Sequence, residues 1–206
     1  MTTWIEPSTK LSGQTIDLFP LEQMHYKQLE TIAKHKQIWE FYPYDGSDPL
    51  KFKEIFTAAL FEKEKGNQVP FVIYLKSEGT IIGSTRLMDI QPKHKKLEIG
   101  TTWLHPKYWG TEVNLACKLL LLTYCFENLY ALRVQLKTDE KNLRSRKAIE
   151  KIGGQFEGIL RHDMLRDNNT KRNSAYYSIT DEEWPDRKNK LLALWLAKME
   201  HPLLIP

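Results

Sequence analysis

Cysteine is scarce in this sequence of 206 residues, and the two that occur, Cys117 and Cys125, lie in one apolar segment. On a helix with a rise of about 1.5 Å per residue, their spacing places them roughly 12 Å apart, which is too far for a disulfide. The six histidines are scattered, and none is paired with a cysteine or a carboxylate at a metal-binding spacing. The pattern predicts two buried thiols and no metal site.

Long apolar runs, internal repeats and linkers rich in Pro, Gly or Ser are also missing. Because no run approaches the roughly 20 apolar residues of a membrane span, no membrane interaction is predicted. The segment Met1 to Pro7 lacks the basic and apolar regions of a secretory signal, so the expected location is cytoplasmic. The length suits one folded domain. We expect a single domain over 1–206, in which 185–206 is a C-terminal helical extension.

Charge of one sign is not concentrated anywhere in the chain. The net charge is +4, and local basic clusters occur at 93–96 and 144–147. A solvated basic surface explains such clusters, and a ligand with a few phosphate groups explains them equally well. Nucleic-acid binding is not required by this pattern, and no nucleic-acid partner is predicted.

Hydrophobic periodicity predicts helices that alternate with strands. Helical spacing covers 21–33, 50–64, 113–126, 142–153 and 185–199. Strand-like segments cover 15–18, 69–75, 80–88, 95–104, 132–137, 155–165 and 173–179. Two of the helices are expected to bury one face each, made of Leu21, Met24, Leu29 and Ile32 in the first and of Leu191, Leu192, Trp195 and Met199 in the last. The fold class is therefore α+β, with a mixed, largely antiparallel sheet and helices on its faces.

The most informative segment joins a strand to an apolar helix. The run from Leu97 to Leu104 ends before His105-Pro106, and the turn Tyr108-Trp-Gly-Thr-Glu-Val-Asn114 leads into the helix, with Thr111 as its expected N-cap. Amides in the first turn of a helix have no partner within the helix, and the helix dipole adds positive partial charge there. This order is typical of a pyrophosphate-binding site.

A second motif follows 28 residues after Asn114 and reads Asn142-Leu-Arg-Ser145-Arg-Lys-Ala-Ile149-Glu-Lys151-Ile-Gly153. Together the two motifs resemble the GNAT superfamily of N-acetyltransferases, most closely its RimJ/RimL-like branch. The second motif matches the family pattern Asn-x-x-Ser-x-x-x-aliphatic-x-Lys-x-Gly. The first differs from the superfamily pattern Arg/Gln-x-x-Gly-x-Gly/Ala at Trp109, Glu112 and Asn114. A motif close to Tyr-Trp-Gly-Thr-x-Val-Asn is, however, familiar within the branch. The resemblance covers about 15–185.

The resemblance implies a GNAT-like sheet with a split parallel strand pair and acetyl-CoA as co-substrate, without a metal. The pyrophosphate would lie on the turn from Trp109, and the pantetheine arm along the backbone of the preceding strand. Asn142 caps its helix, contacts the pantetheine amide, or does both. Glu112 is expected to point away from the phosphates or to be an ordinary helix N-terminal carboxylate. The implied CoA-binding residues are Trp103, Leu104, Trp109, Gly110, Thr111, Glu112, Val113, Asn114, Asn142 and Arg144.

Acetyl transfer to an amine needs a group that takes the amine proton and a group that protonates the leaving thiolate. Related enzymes often carry Glu where this chain has Glu98, which is the expected base, directly or through water. The alternative is an exposed carboxylate paired with Lys95 or Lys96. Ser145 matches the serine proposed as the acid in the RimL-like pattern, whereas a surface or capping hydroxyl is the alternative. Ile149 stands where many GNAT enzymes have an acid tyrosine.

The candidates for the acceptor cleft are Trp39, Tyr42, Tyr44 and Asp45. They join the first two helices, where related folds line the substrate cleft, and aromatic rings with a carboxylate suit a cationic amine. Aromatic clusters are more often core, so both interpretations stay open for this one.

These features predict an acetyl-CoA-dependent N-acetyltransferase that works by direct attack in a ternary complex. The acceptor is a protein or peptide N-terminal α-amine or a small-molecule amine, and the protein is a monomer or a homodimer. The alternative is an acyl-CoA-binding protein without transferase activity, because Glu112 and Asn114 occupy glycine positions and the acid tyrosine is missing.

Overall fold

The computed structural model describes residues 4–200, which form one eight-stranded sheet with helices on both faces. The strands are β1 (Leu11–Ser12), β2 (Ile16–Pro20), β3 (Val69–Leu75), β4 (Thr80–Gln91), β5 (Lys96–Leu104), β6 (Arg133–Asp139), β7 (Gln155–Leu165) and β8 (Lys171–Thr180). Their order across the sheet is β1-β2-β3-β4-β5-β6-β8-β7. All neighbours are antiparallel except β5 and β6, which are parallel. The predicted α+β class is confirmed.

The helices are α1 (Tyr26–Ala33), α2 (Pro49–Glu64), α3 (Val113–Thr123), α4 (Leu143–Lys151) and α5 (Trp184–Glu200). On β3, Val72 packs with residues of α1 and α2, whereas Phe71 and Ile73 pack with residues of α3, α4 and α5. Because successive strand residues point to opposite faces, these two apolar clusters cover the two faces of the sheet. Among residues 4–200, no helix is both long and apolar enough to cross a membrane.

The parallel strands β5 and β6 pair only at their beginnings. The pairs are Lys96 with Arg133, Leu97 with Val134 and Glu98 with Gln135. After these residues, β5 stays paired with β4 and β6 stays paired with β8. The two strands therefore diverge and leave a wedge in the middle of the sheet, which confirms the predicted split pair.

The first helix starts later than predicted. The amide of Leu21 donates to the carbonyl of Pro70 on β3 at 2.8 Å, so the chain is still paired with the sheet at this residue. A short 3₁₀ turn over 23–25 follows before α1 begins. Met24 is 77% exposed instead of buried. The hydrogen bond to β3 thus overrides the helical spacing of the sequence.

The third helix also differs from the prediction at both ends. Glu112 occupies the N-cap position, whereas Thr111 uses its hydroxyl to donate to the carbonyl of Tyr108 at 2.8 Å. The helix closes with a π-helical turn, Tyr124–Asn128. The thiols of Cys117 and Cys125 are buried, as predicted.

The last helix docks on the domain through part of the predicted stripe. Leu191 and Trp195, one turn apart, are buried in the cluster that includes α3. Leu192 and Met199 are 37% and 39% exposed, so their predicted burial is wrong. The remainder of the predicted extension, 201–206, lies outside the described residues.

We propose that α5 belongs to one cooperative folding unit with the sheet, and two adjacent leucines test this. Leu191→Ala should lower the free energy of unfolding by about 2–5 kcal/mol, because it leaves a cavity in the core. Leu192→Ala removes the same atoms from a partly exposed site and should cost less than about 1 kcal/mol. Urea denaturation followed by circular dichroism measures both. Separate unfolding transitions, or equal losses for the two variants, would contradict a single unit.

Candidate active site

A cavity of about 460 Å³ occupies the wedge between the diverging strands. One wall is Ile99–Leu104 of β5, and the other is Leu136–Thr138 of β6. The first wall contains two of the predicted CoA-binding residues, Trp103 and Leu104. Helices α3 and α4 add the side chains of Asn114, Lys118, Asn142, Arg144 and Ser145. The segment 41–44 closes the cavity on the side of α1 and α2. The two sequence motifs and the aromatic segment therefore meet around one space.

The β5 wall contains a bulge at Thr101. The pairing with β4 shifts between Trp103 opposite Ser84 and Gly100 opposite Arg86, and Thr101 has a φ of +46°. A β-branched residue rarely adopts positive φ, so the surroundings must hold this conformation in place.

The next residue, Thr102, is fixed by three neighbours. Its carbonyl accepts from the Tyr42 hydroxyl at 3.0 Å, and its hydroxyl is 2.7 Å from that of Thr85 and 2.8 Å from Nζ of Lys118. These contacts hold the bulge in place on the cavity wall. At the bulge, the regular hydrogen-bond ladder between β4 and β5 is interrupted. The consecutive threonines gave no sequence signal for a bulge.

Glu98 is buried at the point where the strands separate. Its side chain is 3% exposed, accepts a hydrogen bond from Gln135 Nε2 at 2.8 Å, and lies 3.9 Å from Nζ of Lys137. Burial raises the pKa of Glu98, and the charge of Lys137 and the bond from Gln135 offset part of this rise. The alternative of an exposed carboxylate paired with Lys95 or Lys96 is wrong, because Glu98 points into the protein.

Gly100 leaves the space beside this carboxylate. A Cβ atom at Gly100 would lie 2.8 Å from Glu98 Oε1 and 2.6 Å from the sulfur of Met88, too close for either contact. All three residues line the cavity. The absence of a side chain at Gly100 therefore keeps Glu98 in contact with the cavity.

The start of α4 presents Asn142 and Ser145. Asn142 is the N-cap, and its Oδ1 accepts from the backbone amide of Ser145 at 3.0 Å. The cap uses only the oxygen of the side-chain amide, so the NH₂ group can donate to a ligand as well. Both side chains line the cavity, and both predicted uses of Asn142 are compatible with this geometry.

The start of α3 supplies amides without helical partners. The first intrahelical bond runs from the amide of Ala116 to the carbonyl of Glu112 at 2.9 Å, and the amide of Val113 donates to the Thr111 hydroxyl oxygen at 3.4 Å, which leaves the amides of Asn114 and Leu115 for a ligand. Of the predicted phosphate-binding residues, Trp109, Gly110 and Asn114 line the cavity, whereas Thr111, Glu112 and Val113 do not.

Arg144 joins the two motifs at the surface. Its guanidinium lies 3.7 Å from the centre of the Trp109 ring, and Trp109 Nε1 donates to the carbonyl of Leu104 at 3.2 Å. Burial lowers the pKa of Arg144, with the charge of Glu40 acting in the opposite direction. The contact places a cation beside the turn that leads into α3.

The aromatic segment divides between the cavity and the core. Tyr42 and Tyr44 line the cavity. Trp39 does not, since it is 4% exposed in the core and its Nε1 donates to the carbonyl of Ala33 at 2.7 Å. Asp45 is exposed and accepts from the backbone and hydroxyl of Ser47, so it also lies off the cavity wall. The prediction that Trp39 and Asp45 line a cleft disagrees with these positions.

Four cationic residues that the sequence did not single out line the cavity: Arg86, Lys118, Lys137 and Arg172. Lys118 interrupts the apolar surface of α3, and burial lowers its pKa. The other three lie on strands, where only the direction of each side chain distinguishes a cavity residue from a surface cation. Period-two alternation could have placed them on one face but not at the wedge.

Residues 16–155 match the family described as acetyltransferase (GNAT) domain. A curated relative, "Putative ribosomal N-acetyltransferase YdaF" of Bacillus subtilis, is 32% identical over 111 residues, or 54% of this chain and 60% of the relative. The chain thus aligns with less than two thirds of that relative.

Solved structures share the whole fold. A GCN5-related N-acetyltransferase from Brucella melitensis has a TM-score of 0.83 and 25% identity, covering 91% of this chain and 86% of the other. Mycobacterium smegmatis RimJ, in complex with CoA-disulfide, has a TM-score of 0.77 and 20% identity, covering 91% and 95%. The family resemblance drawn from the motifs is confirmed, and the chain belongs to the GNAT acetyltransferase family.

Proposed function

We propose that this protein transfers the acetyl group of acetyl-CoA to a primary amine by direct attack in a ternary complex. The observation that carries the proposal is the wedge between β5 and β6. It places a buried carboxylate, a distorted strand backbone and a helix N-terminus around one cavity. The CoA diphosphate would bind the amides before and at the start of α3, with Arg144 and Trp109 beside them. The pantetheine arm would extend along Leu104 and Trp103 and reach Asn142.

The chemical step needs one bond to form and one to break. The nitrogen lone pair of the amine attacks the thioester carbonyl, a C–N bond forms, the C–S bond breaks, and CoA leaves as a thiolate. Backbone amides at the Thr101–Thr102 bulge are the candidates for stabilising the carbonyl oxygen. Glu98 takes the proton that the amine releases, directly or through water, and Ser145 or solvent protonates the thiolate. Burial raises the pKa of Glu98 towards neutral pH, which makes this carboxylate a stronger base.

The acceptor is an amine that binds beside Tyr42 and Tyr44, whose rings pack against each other at 5.6 Å and line the cavity. Aromatic faces suit an ammonium group before it loses its proton. The name of the Bacillus subtilis relative refers to the ribosome, which favours the α-amine of a protein or peptide. Small-molecule amines remain in the same class and belong in the same test.

The proposed function is tested by combining binding with turnover. We expect acetyl-CoA to bind in isothermal titration calorimetry and free thiol to be released in the presence of a panel of peptide and small amines. Binding without thiol release on any amine would favour an acyl-CoA-binding protein. Absence of acetyl-CoA binding would contradict the proposal entirely.

Two substitutions test the assigned chemistry. Glu98→Gln and Ser145→Ala should each lower kcat/KM by about 10²–10⁴, the usual contribution of an acid or base group. Glu64→Gln, at an exposed position at the end of α2, is the matched control and should keep wild-type turnover. Losses below about tenfold in both active-site variants would remove these roles.

The buried charge of Glu98 also has a consequence for stability. Its pKa is raised in the folded protein, so its contribution to stability is present below the unfolded pKa and is lost as the pH rises through the folded pKa. Glu98→Gln removes this loss. The Tm of the variant minus that of the wild type should therefore increase from about pH 4 to about pH 7. Differential scanning calorimetry checks this, and a difference that is constant with pH, as expected for Glu64→Gln, would refute it.

A further inference from the structure

The cavity is lined by far more positive than negative charge. Among the described residues, one carboxylate, Glu98, lines it together with five cations: Arg86, Lys118, Lys137, Arg144 and Arg172. Arg144 lies at the turn that would bind the CoA diphosphate, and Lys118 donates to Thr102 at the bulge. Lys137 lies 3.9 Å from Glu98 and 3.9 Å from Asp163. Arg172 has Asp139 at 3.7 Å, whereas Arg86 remains without an equivalent explanation among the described residues.

Arg86 is a cation without a counter-charge in the described structure. Its Nη1 donates to the neutral amide oxygen of Gln68 at 3.2 Å, and its Nε is buried without a hydrogen-bond partner. Burial lowers its pKa, and the groups that act against this are the phenols of Tyr44 and Tyr42, not a carboxylate. A buried charge without a partner is costly, and an anionic ligand would offset that cost.

Arg172 is only partly compensated. Its Nε lies 3.7 Å from Asp139 Oδ2, beyond hydrogen-bond distance, and is buried without a hydrogen-bond partner. Asp139 is already bonded to Arg166 and accepts from the amide of Lys141 at 2.9 Å. Arg172 Nη1 has a long contact of 3.5 Å with the carbonyl of Phe41. Within the described structure, its Nε therefore remains available to a ligand in the cavity.

The two arginines lie on the acceptor side of the cavity. Arg86 is opposite Gly100, which precedes the end of β5 at Leu104 by four residues. At about 3.3 Å per residue, roughly 13 Å of strand separates it from the turn that would bind the diphosphate. Arg86 and Arg172 both lie near Tyr42 and Tyr44. The phosphates of CoA therefore do not explain these cations.

We propose that Arg86, assisted by Arg172, binds a carboxylate of the acceptor, so that the preferred amine carries a nearby negative charge. This inference rests on the proposed function and specifies its substrate. A guanidinium matches a carboxylate with two parallel hydrogen bonds, which a neutral amide cannot reproduce. The carboxylate can be an acidic side chain next to an N-terminal amine or the α-carboxylate of an amino acid or dipeptide.

Matched acceptors separate these sources. Ala-Glu-Ala-amide is compared with Ala-Gln-Ala-amide for the side-chain carboxylate, and Ala-Ala with Ala-Ala-amide for the α-carboxylate. The wild type should prefer the charged member of at least one pair by about tenfold or more in kcat/KM, mainly through KM. Arg86→Gln should abolish that preference, so that the charged and neutral members of the pair are used with the same kcat/KM. Arg86→Lys keeps the charge but not the planar fork and should retain part of the preference.

The control is Arg133→Gln, the same chemical change at a surface pair with Glu157 that lies outside the cavity. This variant should keep the wild-type preference. Equal use of charged and neutral acceptors by the wild type, or a preference that survives in Arg86→Gln, would overturn the inference.

A second measurement does not depend on turnover. The N-acetylated forms of the four peptides are titrated calorimetrically into CoA-loaded wild type and Arg86→Gln. Tighter binding of a charged product by the wild type alone supports the carboxylate site, even if no thiol release is found and the proposed function fails. Equal binding of charged and neutral products, or no binding of any, overturns the inference even where turnover is observed.

Discussion

The divergence of β5 and β6 after their third residue pair is the constraint on which the rest of the site depends. Where two paired strands separate, the backbone groups that would have bonded across the gap become available, and a narrow space opens through the sheet. Because α3 follows β5 and α4 follows β6, the same divergence brings both helix N-termini to that space. Strand separation, the cavity and the placement of Glu98 are thus one structural feature.

The cavity combines strain and charge that would be unfavourable in an ordinary core. Thr101 is held at positive φ, Glu98 is buried beside a glycine, and within residues 4–200 no carboxylate pairs with Arg86. Each is a local cost that two well-packed apolar clusters on the faces of the sheet can support. A ligand with a polarised carbonyl, an amine and a carboxylate would relieve these costs together.

Regular periodicity made much of the fold predictable from the sequence. The strands at 69–75 and 155–165 match the prediction residue for residue, and the Asn142 cap follows from a local rule. Tertiary contacts account for the misses. Leu21 is held by β3, Trp39 faces the core because it bonds to Ala33, and Arg86 and Lys118 enter the cavity through packing that no local pattern specifies.

A crystal structure with CoA bound is the decisive measurement. We expect the diphosphate to contact the backbone amides at the start of α3, and the sulfur to lie in the wedge between Gly100–Thr102 and Leu136–Thr138. We expect no contact between Arg86 and CoA. A diphosphate bound at Arg86 and Arg172, or CoA bound outside the wedge, would contradict this expectation.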